Sequence, residues 1–191
     1  MLLRNLSRSA ARRVRWLSAD ASVPPLVADM RTHDCGSLRA AAVGDSVSLA
    51  GWVSVQRMYG KLLFVSLRDA SGVTQLVYQK EDDVGLFEAA AALLPESVVR
   101  VAGSVRARPG EMMNGAMPTG EVEVEVRSLE VLNAPVRPVA LRVQSEIGRH
   151  HGNDEARLRH RHLDLRGVEM QRNLLVRSRA LGAARRALSE E

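Results

Sequence analysis

Few residues in this 191-residue chain could carry covalent or metal chemistry. Its five histidines include two close pairs, His150 with His151 and His160 with His162. Neither pair has the spacing or the partners of a zinc site, so they read as polar surface or as neighbours of RNA, and no metal is assigned. Cys35 is the single cysteine, which rules out an internal disulfide and fits a reducing interior compartment. No P-loop pattern occurs. What remains is recognition chemistry. Aromatic residues make up only 3% of the chain, so each is informative by its position. Around Phe64, the residues Leu63, Val65 and Leu67 alternate with Phe64, Ser66 and Arg68, which puts Phe64 on the polar face of a strand. A solvent-facing ring can stack a nucleobase for about 1–3 kcal/mol. It can equally be a rim residue covered by a loop, and periodicity does not separate the two.

A strand face needs a sheet to hold it. From Ser46 the sequence turns to alternating, β-branched stretches bounded by glycine, predicting strands over 46–57, 61–69 and 72–79 with hairpin turns at Met58–Gly60 and Ala70–Gly72. Residues 84–94 are rich in Ala and Leu and predict a helix stopped by Pro95. Strands resume over 97–108 and 121–132, the last with the strictest alternation in the chain. Three strands, a helix and two strands is the order of an all-β OB-fold barrel, which binds oligonucleotides on the outer face of its early strands.

Charge is unevenly distributed along the chain. The formal net charge is +5, but residues 1–28 hold five Arg against Asp20, and residues 157–186 hold nine Arg against Asp164 and Glu169. Between them, 29–156 holds 13 basic and 17 acidic residues, so RNA binding there must come from a few placed cations and stacking surfaces. On a helix, Arg4, Arg8, Arg12 and Arg15 share one face, opposite Leu2, Leu3, Leu6, Ala10, Val14 and Leu17. This is the composition of a mitochondrial transit peptide, with an Arg-rich nucleic-acid-binding arm as the alternative. No apolar run approaches the roughly 18 residues of a membrane span.

The stretch RTHDCGSLRAAAVGDSVSLAGWV, from Arg31 to Val53, is similar to the opening of bacterial-type aspartyl-tRNA synthetases, the group that includes the mitochondrial ones. LLFVSLRDASGVTQLVY, ESVVRVAGSVRARP, MPTGEVEVEV and LRHRHLDLRGVEMQRNLLVRSR continue the likeness in order, so that it covers residues 31–191. After the transit peptide that composition predicts over 1–28, the resemblance implies an OB-fold anticodon-binding domain over 29–134, and Pro135, Pro138, Gly148 and Gly152 mark a linker over 135–156. The resemblance also implies the first helix of a truncated α+β class II catalytic domain over 157–191. In that helix Leu174, Leu181, Ala184 and Leu188 share one face, with Arg172, Arg179 and Arg186 opposite.

By the same resemblance Phe64 matches the aromatic that stacks on the middle anticodon base, and Gln75 the amide that hydrogen-bonds it. Arg57, Arg108 and Glu123 match residues contacting the neighbouring nucleotides. For Gln75 a satisfied core-rim amide is the alternative, and for Glu123 the solvated face of an edge strand. The resemblance further implies aspartate–tRNA ligase activity in the mitochondrial matrix, with tRNA-Asp as partner, a homodimer, and ATP and magnesium as cofactors of the full-length enzyme. The chain has no Phe-Arg-x-Glu and no glycine-rich arginine motif, so it is expected to bind no ATP and to be inactive alone. The reading from another class is a stand-alone organellar OB protein binding single-stranded nucleic acid; a third is an inert truncation product exposing its apolar helix stripe. The Leu163-Asp164-Leu165-Arg166 segment favours the synthetase, because a free-standing OB module has no need of it.

Overall fold

The computed structural model describes residues 30–143 and 154–189. The presequence expected over 1–28, and His150 with His151, lie outside the described residues.

Five strands close into a barrel: β1 (Ser46–Tyr59), β2 (Leu62–Arg68), β3 (Val73–Gln79), β4 (Val98–Ala107) and β5 (Val122–Asn133). The order around the barrel is β1-β2-β3-β5-β4. Every pairing is antiparallel except a short parallel contact of β3 with β5, at Leu76–Val124 and Val77–Glu125. Leu63, Val65 and Leu67, which alternate with Phe64, Ser66 and Arg68, are buried inside the barrel. Leu49, Val53, Val65, Leu67, Leu76, Val99 and Val124 are fully inaccessible, as expected when period-2 side chains line a closed interior.

Helix α1 (Val84–Ala91) plugs the barrel with Phe87 and Ala90. Its start is fixed by Asp83, whose Oδ1 accepts from the Leu86 amide at 2.9 Å. Its end falls at Ala91, three residues before the expected Leu94. The Leu93 amide bonds to Ala90 in a tightened last turn ahead of Pro95. The first strand is longer than expected, because Met58 and Tyr59 pair with Leu63 and Leu62 and leave only Gly60 and Lys61 in the turn. Gly60 takes φ 58°, which glycine adopts freely. At Gly103, beside an irregularity in the β4–β5 register, a Cβ would come within 2.1 Å of the Glu125 carbonyl oxygen, so the close strand approach there requires glycine.

After the barrel, Leu141 and Val143 form a small second cluster with Leu163. Two short helices follow, α2 (Asp154–Arg159) and α3 (Arg161–Asp164), which the sequence pattern did not announce. Helix α4 (Val168–Ser189) then runs 22 residues with no buried side chain.

Candidate nucleic-acid interface

The register aligns residues of four strands in one row across the sheet, of which the β3 member, Val77, is fully buried. Arg57 of β1 is opposite Phe64 of β2, Phe64 is opposite Val77 of β3, and Val77 is opposite Glu125 of β5. One row along, Val55, Ser66 and Gln75 are aligned in the same way. A bulge between Val53 and Val55 gives β1 the extra twist that brings Arg57 onto this face. Phe64 is half-buried. Arg57 is exposed and makes no hydrogen bond or ion pair among the described residues, so its guanidinium is available to a phosphate or a base.

Gln75 is held in place from β5. Its Nε2 donates to Glu123 Oε2 at 2.9 Å, while Arg106 Nε donates to Glu123 Oε1 at 2.8 Å. A second amide, Gln79, repeats the arrangement by donating Nε2 to Glu125 Oε1 at 2.9 Å, and Arg106 Nη1 lies 3.5 Å from that same oxygen. Arg106 thus bridges two carboxylates that orient two amides. With one N–H spent on Glu123, Gln75 keeps a second N–H and its carbonyl oxygen. A donor and an acceptor side by side complement the N3–H and a carbonyl of uracil.

The expectation that Glu123 could be the solvated face of an edge strand is corrected. The residue is only 5% exposed, because closure places β5 between β3 and β4 and leaves no edge. Of the five residues singled out from the sequence, Phe64, Gln75, Arg57 and Glu123 come together on this face. Arg108 does not join them at the surface. It is 5% exposed, with Nε donating to the Val122 carbonyl at 2.9 Å and Nη2 buried without a hydrogen bond among the described residues. Burial draws its pKa down, and the carboxylate of Glu123 opposes that shift.

Sequence reasoning missed Arg106, Glu125 and Gln79. The signal for Arg106 and Glu125 was present in VRVAGSVRAR and EVEVEV, where charges occupy alternate positions, while Gln79 at the end of β3 carried none. The partner of each charge becomes visible only once β4 and β5 are in register. Among the described histidines, His160 and His162 meet edge to face at 6.2 Å. No group of three or more His, Cys, Asp or Glu among the described residues is placed to hold a metal.

Comparison with known proteins bears on the fold that carries this face. The family described as OB-fold nucleic acid binding domain matches residues 47–132. The chain is 44% identical over 164 residues to the aspartate–tRNA(Asp/Asn) ligase of a Synechococcus strain, covering 85% of this chain and 27% of that protein. It is 47% identical over 161 residues to the corresponding ligase of Rubrobacter xylanophilus, covering 84% of this chain and 26% of that one. Among solved structures, asparaginyl-tRNA synthetase from Pyrococcus horikoshii superposes with a TM-score of 0.66 at 30% identity, over 83% of this chain and 34% of that one. The aspartyl tRNA synthetase of Entamoeba histolytica shares the fold with a TM-score of 0.75 at 19% identity, over 91% of this chain and 40% of that one. The chain therefore spans about a quarter of the length of the curated relatives it matches. Over that span it is a homologue of the amino-terminal, OB-fold part of the aspartate–tRNA ligases, which are class II aminoacyl-tRNA synthetases.

Proposed function

We propose that this chain reads the anticodon of tRNA-Asp for an aspartate–tRNA ligase of mitochondrial translation. The observation that carries the proposal is the placement of Phe64 beside a Gln75 whose amide is fixed by Glu123 and Arg106. A loop base splayed onto the Phe64 ring meets a preoriented donor and acceptor, and Arg57 supplies the nearby positive charge. Glu123 acts as the support of Gln75. Arg108 contributes to a neighbouring nucleotide only where binding uncovers it.

The mitochondrial matrix is assigned from the Arg-rich, amphipathic segment 1–28, which suits the import machinery and the pull of the inner-membrane potential on positive charge. Aspartate activation, homodimer formation and the binding of ATP and magnesium belong, in this proposal, to the remainder of the ligase. The residues present do not fit ATP, since they include none of the motifs that hold its phosphates or its magnesium, and no catalytic step is derived through it.

The test is a titration of residues 29–191, at fixed salt, with a tRNA-Asp anticodon stem-loop and with one carrying a changed middle base. The Phe64→Ala protein is measured alongside. Loss of a stacking interaction of about 1–3 kcal/mol predicts about five-fold to 150-fold weaker binding for Phe64→Ala. A similar loss is expected for the changed base. Equal binding of all RNAs by both proteins, falling steeply with salt, would instead locate binding in the basic segment 157–186 and remove the anticodon assignment.

A further inference from the structure

Where the barrel meets the chain that follows it, three charged side chains converge. Arg68, the last residue of β2, donates Nη2 to both oxygens of Glu96, at 3.0 and 3.1 Å, and the two side chains are only 8% and 7% exposed. Both Glu96 oxygens are engaged by that single nitrogen of Arg68. Glu96 nevertheless takes a second cation. Arg166 Nη2 lies 2.9 Å from Glu96 Oε2, and its guanidinium sits 4.8 Å above the ring of Trp52 on β1. Arg68 also holds the chain that leaves β5, donating Nη1 to the Val143 carbonyl at 3.3 Å. Glu96 is also the one described non-glycine residue with positive φ, at 68°, a conformation kept where the surroundings demand it.

We propose that Arg166, with Glu96 and Arg68, is a clamp that fixes the direction in which the chain leaves the barrel, and that Leu163-Asp164-Leu165-Arg166 is the segment it grips. Arg68 belongs to β2 whereas Arg166 lies beyond α3, so the carboxylate that they share ties the chain after the barrel to the barrel itself. Three of the four residues in that segment have separate anchors. Leu163 packs on Leu141 and Val143. Asp164 accepts from Arg157 Nε at 2.9 Å and from Arg161, tying α2 to α3. Arg166 docks the pair of helices on the barrel. Helix α4 buries no side chain, so its course is set at its root by these contacts and not by packing along its length. The clamp also shares β2 with the proposed base platform, since Phe64, Ser66 and Arg68 alternate along one strand. The inference uses the ligase proposal only for what a fixed direction serves, namely a constant geometry between anticodon face and ligase body; its test contains no RNA.

The test is a spin-label distance measurement on the full chain carrying Ser128→Cys on β5 and Ser178→Cys on α4, both exposed, with the buried Cys35 protected from labelling. The parent should give one narrow distance distribution. Arg166→Met, which leaves the Arg68–Glu96 pair intact, should at least double its width while the thermal midpoint of the barrel stays within a few degrees. Arg166→Lys keeps the charge but loses the fork and the stacking, and should fall between the two. A parent distribution that is already broad, or an Arg166→Met distribution as narrow as the parent's, overturns the clamp. Glu96→Gln provides the second variant, with the same broadening expected.

Discussion

The barrel and α4 solve the same problem in opposite ways. Both carry apolar residues at regular spacing, period 2 in the strands and roughly 3.6 in the helix. In the barrel each inward residue meets others from the facing strands, and residues as distant in sequence as Leu49, Leu76 and Val124 become inaccessible together. In α4, Leu174, Leu175, Val176 and Leu181 are 42–59% exposed and Leu188 is 77% exposed. Periodicity therefore creates the capacity to bury a face, and only a partner surface realises it. A helix that buries nothing draws its order from local propensity and its attachment, which in water is marginal even at this length.

The largest expected consequence is in hydrogen exchange. Amides of β1 and β4 at Leu49 and Val101 should open only with global unfolding, at a free-energy cost of about 5–15 kcal/mol for a domain of this kind. Amides of α4 beyond its first turn should exchange orders of magnitude faster. Protection of α4 equal to that of the barrel, measured by native-state exchange, would erase the contrast.

A pair of truncations sharpens it at the level of side chains. Leu76→Ala removes a fully buried side chain from the barrel core and should cost about 2–5 kcal/mol in denaturant unfolding, the transfer loss plus the cavity left behind. Leu181→Ala, nearly half exposed, should shift the same transition by no more than about 0.5 kcal/mol. A comparable loss from both would mean that α4 is part of the cooperative unit.

The same contrast marks what was legible in the sequence. The strands themselves and the two faces of β2 could be read from alternation, as could the helix between β3 and β4, because these are local patterns, whereas the bulge that turns Arg57 outward in β1 could not. Phe64 could be singled out as an outward ring. The partners of the outward polar residues could not be read. Glu123 meets Gln75 across 48 positions of sequence, and only the insertion of β5 between β3 and β4 turns an apparently solvated glutamate into a buried support. Arg166 and Glu96 lie in segments whose local patterns give no reason to pair them. The turn at Ala70–Gly72 was visible, while the second task of the aspartate that precedes it was not.

That aspartate, Asp69, provides the smallest of these tests and the one that pH can tune. Its Oδ1 accepts from the Ser71 amide at 2.7 Å, the Ser71 hydroxyl at 2.6 Å and the Gly72 amide at 3.1 Å, closing the β2–β3 turn. Its Oδ2 accepts from the Cys35 amide at 2.8 Å, pinning the segment before β1 to that turn. Burial alone would raise its pKa, but the hydrogen bonds from Ser71, Cys35 and Gly72 outweigh it and hold the carboxyl below its ordinary value. Because the folded-state pKa is depressed, the contribution is complete above the unfolded value of about 4 and is lost as pH falls through the lower folded value. Asp69→Asn sets an amide N–H against donors that need an acceptor, and should cost about 1.5–3 kcal/mol at neutral pH. The loss should shrink as the solution is taken below about pH 4, where the parent carboxyl begins to protonate as well. Denaturant unfolding of both proteins across that range makes the comparison. A gap that stayed constant down to strong acid would show that the charge of Asp69 is not what the turn uses.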